Sequence, residues 1–453
     1  MKLHRNAITT TLWAAALTLL PGACDLAGPS EAIDPQTQTQ TRSGQDDDDA
    51  LDPSQWAERG RLIAYKRVRR LSRAQIHEVM FDLPFADAYA DFGIDDFFDF
   101  YDADDIAAVL RYRVDVYQVI YETIDPAGRP AVASGAVLLP RTKQGLKDDV
   151  ALWALLRGTV FYDADVPSHG DMPDFGIWRG LLPAAAGYAT AMPDYLGFGA
   201  SRHMVHPYLI PESTATASVD MMRATRHLTK ELGVSLRDEV FLSGHSQGGH
   251  ATLATLRTLE AEHADEFDLR GAVPASGAYA AAGLFDFILH SEALIAPQVT
   301  SLYVLALFGT RDLGEPLSYY FKAPYDEVVL DLHDKTKTNA EVIAGLPSGT
   351  TDELFADGFL TAYRGDGALD FKAALALSDV HAGWTPQTPI KLLHGTADDV
   401  VPVAMSQAAL FGLGGEGADV EIELVEGAGH LQTIVPATLR SIDWFDSVLE
   451  AAD

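Results

Sequence analysis

The string Gly244-His245-Ser246-Gln247-Gly248 carries the strongest chemical signal in the chain. It follows the β-branched run at 240–243 and opens a helical pattern from Gly249, which predicts a tight strand-to-helix turn with the serine at its apex. Glycines flank the serine because such a turn strains the backbone, and a Cβ on either side would meet a neighbouring strand or helix. A serine hydroxyl attacks a carbonyl poorly without a positioned base, and an imidazole is poorly oriented without an acid behind it. Two late loops offer these partners. The strand-like run 390–394 leads into Gly395-Thr396-Ala397-Asp398-Asp399-Val400-Val401-Pro402, and the run 420–425 leads into Glu426-Gly427-Ala428-Gly429-His430. His430 is the candidate base, with glycines on its N-terminal side that let the loop fold back over the sheet edge. The pattern Gly-x-x-Asp-x-x-Val-Pro selects Asp398 as the acid, with Asp399 as helix cap or loop brace. A tetrahedral oxyanion needs two preorganised donors. The amide of Gln247 supplies one, and the loop Leu156-Arg157-Gly158-Thr159 supplies the other, through Thr159 with Gly158 as nearest competitor.

These residues need strand ends to sit on, and the chain has them. Residues 114–121 alternate at period two, turn through Asp125-Pro126-Ala127-Gly128 and return over 131–139, a hairpin expected at a sheet edge. Buried-strand runs follow at 150–156, 189–192, 240–243, 271–275, 390–394 and 420–425, separated by helical stretches at 218–232, 249–263, 403–411 and 439–449. Strands alternating with helices imply a mostly parallel sheet covered on both faces, an α/β architecture. The alternation stops between 282 and 388, which reads as a helical cap inserted into the sheet domain. Its apolar strings 284–289 and 302–308 are the candidates for an acyl-binding wall, and Tyr319, Tyr320 and Phe321 are expected in its core.

From about Val114 onward the chain resembles an α/β-hydrolase, and within that superfamily it is similar to the secretory lipase family typified by the fungal lipase-A enzymes. The resemblance rests on residues 244–249, on Pro193-Asp194-Tyr195-Leu196-Gly197-Phe198-Gly199, on Arg157-Gly158-Thr159 leading to Val166-Pro167-Ser168, on Asp398 and His430 in the order nucleophile, acid, base, and on the long cap. It implies carboxylic-ester hydrolysis beneath a helical lid over an acyl-binding tunnel, with no cofactor. The chain departs from the pattern at Arg157, where bacterial relatives commonly have His, and in its single cysteine, which excludes the disulfides of the fungal enzymes. A prolyl-oligopeptidase-like serine peptidase is the alternative, against which stands the missing propeller. A non-catalytic hydrolase-like module is the other, against which stand all three triad residues.

The single cysteine, Cys24, lies where a leader would be cleaved. Lys2, His4 and Arg5 precede an apolar run at 7–20 that is too short to span a bilayer, and Leu20-Pro21-Gly22-Ala23-Cys24 looks like a bacterial lipobox. Residues 1–23 therefore read as a lipoprotein-type signal and 24–56 as a polar linker, with 57–281 and 389–453 as the two parts of the hydrolase core around the cap at 282–388. This arrangement predicts a cell-envelope enzyme touching the membrane only through a lipid on Cys24. A net charge of −32 repels phosphate backbones and excludes a nucleic-acid role. The Asp-rich stretch 82–105 lacks the glycine and late glutamate of a calcium loop, and His203, His206, His245 and His250 lack metal-ligand spacing; no metal is expected.

Overall fold

The computed structural model describes residues 59–81, 97–170, 176–415 and 417–452. The leader, Cys24 and the linker lie outside them. Nine strands form one sheet in the order β1-β2-β3-β5-β4-β6-β7-β8-β9. They are β1 Leu62–Leu71, β2 Arg113–Ile124, β3 Pro130–Arg141, β4 Val150–Leu156, β5 Ala189–Pro193, β6 Leu236–His245, β7 Asp268–Ala275, β8 Ile390–Gly395 and β9 Val420–Val425. The first three and the β3–β5 pair are antiparallel, and every pair from β5 through β9 is parallel. In β4 all of Val-Ala-Leu-Trp-Ala-Leu-Leu is buried, as a parallel strand covered on both faces requires.

The hairpin of β2 and β3 pairs without a shift from Arg113↔Arg141 to Ile124↔Pro130. It is not the edge of the sheet, because β1 pairs outside β2. Strand β1, Leu-Ile-Ala-Tyr-Lys-Arg-Val-Arg-Arg-Leu, escapes a search for β-branched runs because its charges interrupt the apolar signal. Buried acids hold it in place. Asp115 on β2 is fully buried and faces Arg70 at 3.1 Å, Arg141 at 3.4 Å and Arg67 at 3.6 Å. Arg61 pairs with Glu122, while Asp220 takes Arg59 at 3.2 Å, Arg223 at 2.9 Å and the Thr123 hydroxyl at 2.8 Å.

Helices Trp178–Ala186 and Ile434–Ala452 cover one face of the sheet, where Trp153, Phe241 and Phe445 stack. Helices Pro211–Glu231, Gln247–Glu262 and Ala404–Leu413 cover the other. The first of these begins seven residues before the apolar pattern does, because Pro211 starts it and the small side chains of Ser213, Thr214, Ala215 and Ala217 let that turn pack closely. Between β7 and β8 the chain forms eight helical segments, from Ala281–His290 to Leu369–Ala376. They share an apolar core of their own, in which Phe285, Tyr320, Phe359 and Phe371 meet edge to face or tilted, and Phe161 with residues 208–210 joins it from the sheet side. Tyr320 and Phe321 are buried in that core. In the acidic stretch, residues 82–96 lie outside the described residues; Asp102 and Asp105 cap the Ala103–Val109 helix reciprocally, which accounts for both carboxylates.

Candidate active site

Ser246 stands between β6 and the Gln247–Glu262 helix with φ 61° and ψ −120°. Its amide donates to the Ala275 carbonyl at 2.9 Å, which ties the turn to β7. A Cβ at Gly244 would run into the Gly248 carbonyl, and one at Gly248 into the Leu156 carbonyl, so both positions require glycine for close approach.

Asp398 and His430 follow β8 and β9, at the same carboxyl edge of the parallel strands. His430 Nδ1 donates to Asp398 Oδ2 at 2.7 Å. Asp398 Oδ1 accepts the amides of Val400 at 3.1 Å and Val401 at 2.8 Å. Burial works against the Asp398 charge, but the neighbouring His430 charge and the hydrogen bonds from His394, His430 and Val401 outweigh it and hold the carboxyl well below the usual carboxylate range. The two loops are joined: the Ala397 amide donates to the Ala428 carbonyl at 3.0 Å, the Gly427 amide to Thr396 Oγ1 at 2.8 Å, and Gly427 adopts φ 76°. The expectation for Asp399 is corrected here. It is exposed and caps nothing; the next helix starts at Ala404 with Val403 at its N-cap, and Asp398 itself braces the turn.

Thr159 and Gln247 line one cleft with Ser246. The Thr159 hydroxyl is engaged by Tyr208 Oη at 2.9 Å. The cleft, counted together with the space at its open mouth, has a volume of about 600 Å³, and among the described residues none that lines it is charged. Its far wall is Leu284, Phe285 and Ile288 from the Ala281–His290 helix, with Ile295, Val299 and Tyr303. The string 302–308 therefore contributes Tyr303 alone; Leu302, Val304, Leu305 and Leu307 turn into the helical core. The wall comes from the first turns of the Pro297–Thr310 helix because that helix is apolar all round, so its sequence does not mark which face meets the cleft.

Three histidines around the site have structural partners that sequence reasoning missed. His394, on β8, directs Nε2 to the Val401 carbonyl at 2.8 Å and to Asp398 Oδ2 at 3.3 Å, while Nδ1 accepts from the Ser406 hydroxyl at 2.7 Å. His245 donates from Nε2 to the His430 carbonyl at 2.8 Å, and the two rings lie 4.6 Å apart. His206 donates from Nδ1 to the Leu196 carbonyl at 2.7 Å, so its Nε2 accepts from the Gln247 side-chain amide at 3.0 Å. Burial, reinforced by the charge of Arg157, pushes the His206 pKa well below its ordinary value, and burial with His430 and Arg179 does the same at His245. Both rings are neutral props. The signal for them was their position beside the motif residues, since isolated histidines have no pattern. His250 bonds the Ser378 carbonyl at 2.8 Å, and His203 is exposed.

A parallel sheet with helices on both faces, a serine at the strand-to-helix turn after β6, and a buried Asp–His pair after β8 and β9 define an α/β-hydrolase. The family model described as serine aminopeptidase, S33 (Hydrolase_4) matches residues 183–433, more than half of the chain, and the chain belongs to that family. It is 26% identical over 298 residues to the protein named "Probable trichothecene esterase SAT6" of Stachybotrys chartarum, a match covering 63% of this chain and 56% of that protein. The chain thus spans little more than half the length of this curated relative. Among solved structures it is similar to the rice cell wall degrading esterase LipA from Xanthomonas oryzae, with TM-score 0.70, 25% identity, and coverage of 87% of this chain and 98% of that one. It shares its fold with Candida antarctica lipase A in its closed state, with TM-score 0.58, 15% identity, and coverage of 85% and 83%.

Proposed function

We propose that the protein hydrolyses carboxylic esters through an acyl-enzyme, with the acyl group lodged in the cleft beneath the helical segments. Ser246 Oγ attacks the ester carbonyl while His430 takes its proton, and Asp398 fixes the imidazole so that Nε2 faces the serine. The amides of Gln247 and Thr159 receive the oxyanion. His430 gives the proton to the leaving alcohol, takes another from the water that attacks the acyl-enzyme, and returns it to Ser246 Oγ as the acid leaves. The observation that carries this reading is the 2.7 Å bond between His430 and a fully buried Asp398, on the strand edge that also presents Ser246. Relatives named as esterases support it. The uncharged wall supports an acyl lipid or similarly apolar ester as substrate.

The family's description raises a peptidase reading. An N-terminal ammonium would need an acid to meet it, and among the described residues no carboxylate lines the cleft. Turnover of p-nitrophenyl esters from acetyl to palmitoyl, beside aminoacyl nitroanilides, tests both. Each buried methylene contributes about 0.8 kcal/mol, so four further carbons are expected to raise kcat/KM by about a hundredfold until the wall ends. A profile that falls beyond acetyl, or efficient amide cleavage, overturns the acyl-lipid reading. Anchorage through Cys24 completes the proposal; mass spectrometry of the native protein is expected to find a lipid adduct on an N-terminal Cys24.

A further inference from the structure

Arg157 is 4% exposed and sits behind the loop that carries Thr159. Its guanidinium is packed between the rings of Tyr195, 4.7 Å from the centroid, and Phe198, 4.8 Å. Nε and Nη2 both donate to the Asp194 carbonyl, at 3.0 and 2.5 Å, and Nη1 donates to the Gly158 carbonyl at 2.9 Å. These bonds end on backbone carbonyls; the Asp194 carboxylate acts on the charge through space while it bonds the Ser134 hydroxyl and the Ser168 amide. The Gly158 carbonyl and the Thr159 N–H are the two ends of one planar peptide unit. A group that grips the oxygen aims the N–H the opposite way, and a cation on that oxygen draws electron density from the nitrogen and strengthens the donor. Burial lowers the Arg157 pKa to about 10, which leaves the side chain charged at neutral pH.

We propose that Arg157 is a positioning residue for ester hydrolysis: it holds and polarises the Gly158–Thr159 peptide so that the Thr159 N–H meets the developing oxyanion. The proposal rests on the reading of Thr159 as an oxyanion donor. It also gives a purpose to the string Pro193-Asp194-Tyr195-Leu196-Gly197-Phe198-Gly199, which supplies the carbonyl and both rings of the guanidinium socket. A lysine cannot replace the arginine fully, since one ammonium cannot present the rigid fork that reaches both carbonyls.

The test compares wild type, Arg157→Gln and Arg157→Lys on a medium-chain ester and its thionoester, with turnover counted per serine titrated by a phosphonate. Sulfur is a weak acceptor, so an intact oxyanion site prefers the oxo ester. Removing one oxyanion donor outright costs about 100- to 1,000-fold in kcat. Loosening and depolarising that donor in Arg157→Gln is expected to cost about 10- to 100-fold in kcat with KM nearly unchanged, and to shrink the oxo-over-thiono preference. Arg157→Lys is expected to fall between, and in a separate rescue variant, Arg157→Gly, added guanidinium ion is expected to restore turnover. A purely structural role would lower the number of titratable serines and leave per-site kcat and the preference at wild-type values; that result in either folded variant overturns the proposal. A kcat loss with an unchanged preference overturns it too. A wild-type enzyme that shows no oxo-over-thiono preference instead refutes the oxyanion reading beneath it.

Discussion

The two walls of the cleft are built on opposite principles. On the sheet side, where Ser246, Gln247, Val400 and Val401 line the cleft, the residues behind that lining, Asp398, His430, His394 and His245, are tied to one another or to backbone within 3.3 Å, and the loops that carry them are bonded loop to loop. On the helical side, Leu284, Phe285, Ile288 and Val299 meet the cleft through packing alone. Hydrogen bonds are directional and fix an atom's place, whereas apolar contacts fill volume and tolerate exchange. The difference teaches where rate and selectivity should separate under the proposed ester hydrolysis: the sheet side is expected to set how fast any ester reacts, and the helical side which ester is preferred.

The largest expected effect breaks the sheet side. Ser246→Ala or His430→Ala removes at least about 10⁴-fold in kcat on every ester, since triad members act as a unit; retention of a tenth of the activity would refute the mechanism. Asp398→Asn follows, with a loss of about 10³- to 10⁴-fold from the wrong imidazole tautomer. Asp399→Asn, at an exposed position, is expected to lose little, and the reverse ranking would reassign the acid. Stability gives an independent reading of the same residue. Because folding lowers the Asp398 pKa, its contribution is complete above the ordinary carboxylate value of 3.8 and is lost as pH falls from there through the lower folded value. The melting temperatures of wild type and Asp398→Asn are therefore expected to converge on acidification.

Breaking the helical side takes a bulkier side chain. Val299→Phe, at a half-buried position facing the cleft, is expected to cost about tenfold in kcat/KM on long acyl esters and to leave acetyl esters unchanged. An equal loss on both would place Val299 with the rate-setting residues and dissolve the distinction. The smallest effect is acid softening of the helical side. Burial pushes both His250, which bonds the chain returning from the helices, and His333, which bonds Ser301 within them, down to about 4. Their folded pKa values lie below the ordinary 6.5, so the stability they carry is full above 6.5 and is lost as pH falls through about 4. Hydrogen-exchange protection in residues 297–333 is expected to drop as pH falls from 6.5 to about 4, and protection that stays flat over that range would refute the assignment of His333.

The sheet-side residues were readable because their spacing is tied to a strand end. Gly244 and Gly248 mark a turn that tolerates no Cβ, and Asp398 and His430 each follow a short strand into a glycine-bearing loop. Support residues had no such mark. His394 reads as one more strand residue, His206 as a lone histidine, and Arg157 as a departure from a familiar pattern until its bond to the Gly158 carbonyl is seen. The helical wall was half legible. Leu284 to Ile288 lie on an amphipathic helix, but the Pro297–Thr310 helix is apolar on every side and only packing chooses the face that meets the cleft. Strand β1 was hidden because four of its ten residues are cations, and the acid that pairs with Arg67 and Arg70, Asp115, lies more than 40 positions further along the chain.

Strand β1 also bears on how copies of the protein behave in crowded solution. Among the described residues it is the outermost strand on its side of the sheet, the kind of margin that can invite another strand, and it carries Lys66, Arg67, Arg69 and Arg70. Two such margins meeting would set cation against cation, which discourages stacking in a molecule whose remaining surface is strongly acidic. Strand β2 behind it is guarded differently: Val114, Val116 and Val119 are buried beside Asp115 and Glu122, which pair with Arg67, Arg70 and Arg61. A proteolytic cut just after Leu71 that freed β1 would uncover those valines together with two carboxylates stripped of these arginines, so integrity of this strand bears on folding and solubility before it bears on catalysis.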